Sequence, residues 1–190
     1  TVTLLERQTG QQLKTLRSDQ AQEFKRGKLA DWARKIGVHQ EFSSPYTPEQ
    51  NGVVERMNQT LLNMERSMRI HAGLPAKYWG EAIITASTIR NAFPSRVIGH
   101  KTPYELFYGR VPDVSHFRTF GCKAYILSTG PKRHKLQPKS APGVFVGYPD
   151  NMRGWKIMQP DGRIIVTVHV RFDEVNMPGR ASTALVAPEG

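Results

Sequence analysis

The sequence predicts a two-part α+β chain: helices with two short strands as far as Pro112, then a small β-barrel. Three observations predict it. Apolar residues recur at helical spacing in the first part, at Leu29, Trp32, Ala33 and Ile36 and again at Val53, Met57, Leu61, Met64 and Met68. After Pro112 the chain changes to short β-type runs bounded by Gly and Pro. Within that part, Ile164, Val166, Val168, Val170 and Phe172 alternate with Ile165, Thr167, His169 and Arg171, the clearest period of two in the chain.

The elements follow in order. Gln8-Thr9-Gly10 reads as a turn, and "QLKTLRSD" as a short strand ending at Asp19. Lys25 to Lys35 reads as a helix that Gly37 terminates, because a helix end favours the left-handed backbone glycine adopts. "VHQEF" alternates and reads as a second strand. "SSPYTPEQNG" is a loop, and a long helix starts near Val53. Its stripe from Val53 to Met68 is predicted to be buried. Glu55 lies about 200° round from Val53 and off that stripe, as do Arg56, Asn63 and Arg66. "AGLP" ends this helix, and a further one, "AKYWGEAIITASTIRNAF", is apolar enough to be buried on much of its surface; Pro94 closes it. "TPYELFYG" is a short helix whose aromatic residues serve packing. The barrel strands are "FRTFGCKAYIL", "GVFVGY", "GWKIM" and "RIIVTVHVRF", the last two joined by a turn at Gln159-Pro160-Asp161-Gly162. The final residues read as a flexible tail.

Composition narrows the function. Among 190 residues, 27 Lys and Arg face 16 Asp and Glu, a net charge of +11. A chain this basic meets phosphate, in nucleic acid or on an anionic surface. The excess is even: residues 1–100 carry 14 basic and 9 acidic side chains, residues 101–190 carry 13 and 7. No apolar run reaches the length of a membrane span and no targeting signal is visible, so no membrane partner is expected. The single cysteine, Cys122, excludes an internal disulfide and a cysteine-rich zinc site; beside Gly121 it reads as a small buried residue. The histidines are scattered without metal-ligand spacing.

Two acids stand out. Asp19 ends a strand and Glu55 opens a helix behind a polar loop. A strand end and a helix start can meet at one sheet edge, where paired carboxylates suit hard divalent cations. Two such ions about 4 Å apart activate a hydroxyl and stabilise a leaving oxygen on phosphorus. The alternative is that both are ordinary surface carboxylates.

"LRSDQAQEF" followed by "WARKIGVHQEFSSPYTPEQNGVVERMNQTLL" resembles the second half of the integrase catalytic core of copia-type LTR retrotransposons, a family within the RNase H-like polynucleotidyl transferases. That family's signature is Asp, Asp, then Glu after thirty-five intervening residues, and thirty-five residues separate Asp19 from Glu55. The likeness continues through "KTPYELFYGRVPDVSHFRTFGCKAYI" and "GWKIMQPDGRIIVTVHVRFDE", which resemble the segment that follows the core in these Pol polyproteins and ends in an SH3-like barrel.

The resemblance implies the C-terminal part of an RNase H-like core over residues 1–72, a helical segment over 73–112, an SH3-like barrel over 113–175 and a tail over 176–190. It implies Asp19 and Glu55 as catalytic ligands of Mg²⁺ or Mn²⁺ in DNA strand transfer. The partners it implies are retroelement ends and target DNA, the rest of the Pol polyprotein, or other integrase protomers. It implies action in the nucleus after a cytoplasmic particle stage. Arg56 and Asn58 could touch DNA or be solvated helix surface. Lys132, Arg133, Lys135 and Lys139, with His134, form a basic loop suited to phosphate contact or simply solvated. Two departures qualify the match. The family's first catalytic aspartate is expected upstream of Thr1, so the isolated chain is expected to be inert or nearly so. The usual "SDNGGEF" stands here as "SDQAQEF". The alternative reading is a non-catalytic nucleic-acid-binding or assembly module, decayed or domesticated.

Overall fold

The computed structural model describes residues 2–19, 21–43, 52–127, 140–150 and 152–183. The chain divides into two compact units, residues 1–60 with 105–110, and residues 61–104 with 111–190.

The first unit holds helix α1 (Val2–Thr9), strand β1 (Thr15–Ser18), helices α2 (Gln22–Lys25) and α3 (Lys28–Ile36), strand β2 (His39–Phe42) and the start of helix α4 (Gly52–Ala72). Helix α1 stands where the sequence predicts only a turn: Thr9 Oγ1 donates to the Leu5 carbonyl at 2.9 Å, and the Gly10 N–H to Glu6 at 2.9 Å. The helix predicted over Lys25–Lys35 is two, parted at Arg26-Gly27. Gly37 ends α3 as expected, with φ 74°; the Val38 N–H donates to Ala33 at 2.9 Å and the Gly37 N–H to Arg34 at 3.3 Å. Parallel strands need a crossover, and α2 and α3 supply it: β1 and β2 pair in parallel, Thr15 opposite His39 and Ser18 opposite Phe42. Arg17 and Glu41 face each other in this register, and the guanidinium reaches the carboxylate through Nε at 3.0 Å and Nη2 at 2.7 Å. Among the described residues of this unit, Ala30, Ala33 and Val38 are the buried apolar ones.

The second unit contains the rest of α4, a 3-10 turn (Ala76–Tyr78), helix α5 (Trp79–Ala92), strands β3 (Lys123–Leu127), β4 (Ser140–Gly147), β5 (Trp155–Met158), β6 (Ile164–Thr167) and β7 (Val170–Asp173), and helix α7 (Pro178–Thr183); helix α6 (Pro103–Tyr108) lies across the division in sequence. The strands form one antiparallel sheet in the order β6-β5-β4-β3-β7. The alternating run that predicts one long strand is two strands, parted at Val168-His169. Its halves occupy the two edges of the sheet. Flat, those edges would be about 19 Å apart, four spacings of about 4.8 Å. Three Cα steps of about 3.8 Å link Thr167 to Val170, at most about 11 Å. The sheet therefore curls, and the predicted small barrel results.

β4 shows why its run is continuously apolar. Phe145 packs inside with Cys122, Ala124, Tyr148 and Ile157. Val146, its neighbour, faces the other way, into Ala72, Leu74, Tyr78, Ala82 and Phe120. A strand covered on both faces has no polar side to alternate with. At Gly147 the approach of α5 leaves no room: a Cβ would lie 2.6 Å from Thr85 Oγ1. Cys122 is buried as predicted, and burial pushes its thiol up to about 12.

Two expectations need correction, the buried stripe of α4 and the flexible tail. The α4 stripe is buried only towards its C-terminal end, where Met68 and Ala72 join the core; Val53 is 71% exposed and Met57 is exposed too. The buried side chain that periodicity missed is Glu65, held by Arg69 Nε at 2.6 Å, while Arg69 Nη1 donates to the Leu74 carbonyl. Helix α5 is covered on much of its surface as predicted, with Ala82, Thr85 and Ala86 fully buried and Ile83 and Ile89 partly so, but it leaves Trp79 59% exposed. The predicted tail contains α7, and Arg180 donates through Nε to the His71 carbonyl and approaches His71 Nδ1 through Nη2 at 2.8 Å. A cation suits the negative end of α4.

Candidate functional site

Parallel pairing builds the candidate site's edge. Because β1 and β2 run the same way, both finish on one side, and the Ser43 N–H donates to the Ser18 carbonyl at 3.0 Å as the ladder's last rung. Asp19 follows Ser18 directly, at the carboxyl edge where α/β folds commonly place ligands. Its side chain is exposed, and Oδ1 accepts the Ala21 N–H at 3.0 Å. This turn forms without glycine: Ala21 has φ −53° and ψ 139°, an ordinary extended conformation. The replaced "NGG" thus leaves no backbone strain at Ala21, and α2 starts at Gln22.

Glu55 stands in the first turn of α4 and is exposed. An acid there is favoured by the helix dipole whatever else it does. Asp19 and Glu55 belong to the same compact unit, one at the strand edge and one at the opening of the helix that follows β2. Among the described residues neither forms an ion pair, and no group of three or more His, Cys, Asp or Glu side chains gathers to hold a metal. The two carboxylates offer hard oxygen donors, the right kind for Mg²⁺ or Mn²⁺, but fewer than a closed site uses.

Arg56 and Asn58 lie on the exposed surface of α4 beside Glu55. The Arg56 guanidinium lies close to Gly52: a Cβ there would be 3.3 Å from Nη1. The basic residues Lys132, Arg133, His134, Lys135 and Lys139, and the loop from Ser44 to Asn51, lie outside the described residues. One neighbour of the edge escaped the sequence reading. The Lys25 ammonium lies 5.8 Å from the centre of the Phe42 ring, and Phe42 is the register partner of Ser18. The signal was the lysine six residues after Asp19, at the end of the short helix that turns back over the strand pair.

Residues 122–184 match the family model of the retroviral polymerase SH3-like domain. Over 157 residues the chain is 38% identical to a retrovirus-related Pol polyprotein from transposon TNT 1-94 of Nicotiana tabacum, covering 83% of this chain and 12% of that protein. Over 176 residues it is 31% identical to the Pol polyprotein from transposon RE2 of Arabidopsis thaliana, 92% of this chain and 12% of the relative. A third, from transposon RE1 of the same plant, is 30% identical over 186 residues, 97% of this chain and 13% of the relative. The chain thus spans about an eighth of the length of these curated relatives.

Proposed function

This chain belongs to the retrovirus-related Pol polyproteins of copia-type LTR retrotransposons, and we propose that it is the segment of their integrase that brings Asp19 and Glu55 to DNA strand transfer. In this reading residues 1–72 are part of an RNase H-like core, and the barrel is the SH3-like domain. Asp19 and Glu55 would hold Mg²⁺ or Mn²⁺, which supplies charge stabilisation at phosphorus and a more acidic attacking hydroxyl. Asp19 can do so with Oδ2, because its hydrogen bond to Ala21 uses Oδ1. Ala21 thereby fixes the carboxylate's orientation, and the first-turn position of Glu55 fixes where its side chain leaves the helix. Arg56, Asn58 and the lysines and arginine of residues 132–139 would meet phosphate, giving a steep loss of affinity with salt. The partners are retroelement ends and target DNA, with other protomers or the remaining Pol polyprotein, acting in the nucleus after a cytoplasmic particle stage.

One observation carries the reading. The thirty-five-residue interval joins an aspartate at the carboxyl end of a parallel strand to a glutamate in the first turn of a long helix. With two carboxylates of three, the isolated chain is inert in strand transfer. The assay uses Mn²⁺, a DNA end bearing a 3′-hydroxyl and a target plasmid. The isolated chain gives no product. An integrase in which this segment is preceded by its polyprotein sequence gives product that falls at least about a hundredfold with Asp19→Asn or Glu55→Gln. Product from the isolated chain that Glu55→Gln abolishes overturns the inactivity. A longer integrase indifferent to both changes overturns the site. The second reading, a non-catalytic nucleic-acid binder, draws on the +11 charge, and predicts salt-sensitive DNA binding indifferent to Mn²⁺.

A further inference from the structure

We propose that the second unit carries a binding cleft for a short acidic peptide, with an apolar residue beside the carboxylate, between the 3-10 turn before α5, the face of β3-β4-β5 and the start of α7. The proposal stands apart from strand transfer. The cleft has a volume of about 440 Å³. That is within the range of sites that hold small ligands or a few side chains. Its walls are apolar: Tyr78, Pro142, Val144, Met158, Pro160 and Pro178 line it. The sheet register explains the row, since Lys123, Val144 and Met158 stand opposite one another on three adjacent strands.

Two cations stand among these walls, Lys77 and Lys123. Among the described residues neither has an ion pair; their ammonium groups lie over rings, Lys77 at 5.1 Å from the centre of Tyr78 and Lys123 at 5.0 Å from that of Tyr125. Among the described residues the lining carboxylate is Asp161, already held by Arg163 Nε at 2.6 Å and by the Arg163 N–H at 3.0 Å, while Asp173, opposite Lys123 on β7, accepts from Asn176 Nδ2 at 2.6 Å. The cleft is therefore cationic and apolar together. A phosphodiester backbone would use the lysines but would leave Met158, Val144 and the prolines with nothing to cover. A peptide carboxylate next to an aliphatic or aromatic side chain satisfies both.

One wall is fastened in place. Pro178 precedes Gly179, where a Cβ would lie 2.4 Å from the Ala72 carbonyl oxygen and 2.7 Å from that of Gly73, so α7 meets the end of α4 backbone to backbone. Arg180 closes the contact on His71.

The test uses the full chain and a fluorescent peptide, acetyl-Asp-Leu-Glu-Phe-amide, with acetyl-Asn-Leu-Gln-Phe-amide as its neutral counterpart, read by anisotropy. The acidic peptide binds saturably and the neutral one at least about tenfold more weakly. Lys77→Gln and Lys123→Gln each weaken binding about threefold, and Asp161→Asn, which keeps the turn's acceptor oxygen, tightens it. Circular dichroism melts of the three variants match the parent, separating lost binding from lost folding. Equal binding of the two peptides, or indifference to both lysine changes, overturns the proposal. So does competition at this cleft by oligo-dT rather than by unlabelled acidic peptide, which would assign it to nucleic acid.

Discussion

The two units spend their residues differently. Among the described residues both buried apolar clusters belong to the second unit, where Phe145, Val146 and Ile157 are fully buried and the glycines at 147 and 179 let backbone and helix close on each other. Among its described residues the first unit buries Ala30, Ala33, Val38 and Ser43, and leaves Val53, Val54 and Phe42 exposed. It nevertheless carries both candidate catalytic acids. Burial is concentrated in one unit and the candidate acids lie in the other. A site on a sparsely buried unit can lose a carboxylate with little structural consequence, whereas the barrel tolerates few changes.

The largest expected effect breaks the barrel. Phe145→Ala removes a ring in contact with Tyr148 and Phe172, with centroids 5.2 Å and 5.7 Å away, and lowers stability by about 3–5 kcal/mol in thermal or urea unfolding. Next comes Arg69→Ala, at about 3 kcal/mol, because it leaves the Glu65 carboxylate, 9% exposed, buried without its cation. Glu65→Gln with Arg69→Met should recover most of that loss; if the double change is as unstable as Arg69→Ala alone, packing rather than charge explains it.

How much of this could be read beforehand depended on how local the signal was. Gly37, the turn at Gln159–Gly162, the strands around Asp19 and Glu41 and the interval to Glu55 are fixed by residue type and spacing, and the structure has the turn, the cap and the strands in place. Burial was less legible. Periodicity gave α4 a single buried stripe, but the helix contributes to both units, and only its later turns reach the core. Glu65 could not be recognised as buried, because the reason is a partner one turn on and a carbonyl beyond the helix end. The break at Val168-His169 was hidden too, since both halves keep the same alternation while belonging to opposite sheet edges. At the site, spacing and a family resemblance named Asp19 and Glu55; the lysine six residues after Asp19 was the further signal, and only the fold sets it over Phe42.

Alkaline pH probes the barrel more gently. Burial, aided by the charges of Glu174 and Asp173, holds the Cys122 thiol up near 12 against an ordinary 9.0. The folded thiol stays neutral while the unfolded one ionises, so the stabilisation is intact below 9.0 and declines as pH rises from 9.0 towards 12. At pH 10 the loss relative to pH 8 is about 1 kcal/mol, and Cys122→Ala should flatten that part of the profile. An unchanged slope in the variant would place the alkaline sensitivity elsewhere.

The smallest effect on stability bears most on function. Asp19→Asn keeps an oxygen to accept the Ala21 N–H, so the turn after β1 survives. Glu55→Gln removes an exposed first-turn charge whose interaction with the helix dipole is worth a few tenths of a kcal/mol. Each change should therefore move the unfolding free energy by no more than about 0.5 kcal/mol, while abolishing strand transfer in an integrase that contains this segment. Such a separation is possible only if the acids sit outside the packing that holds the chain together. A loss above about 1 kcal/mol from either variant would make that carboxylate part of the fold, and the contrast between a stabilising barrel and an exposed edge bearing the candidate acids would fail at its most sensitive point.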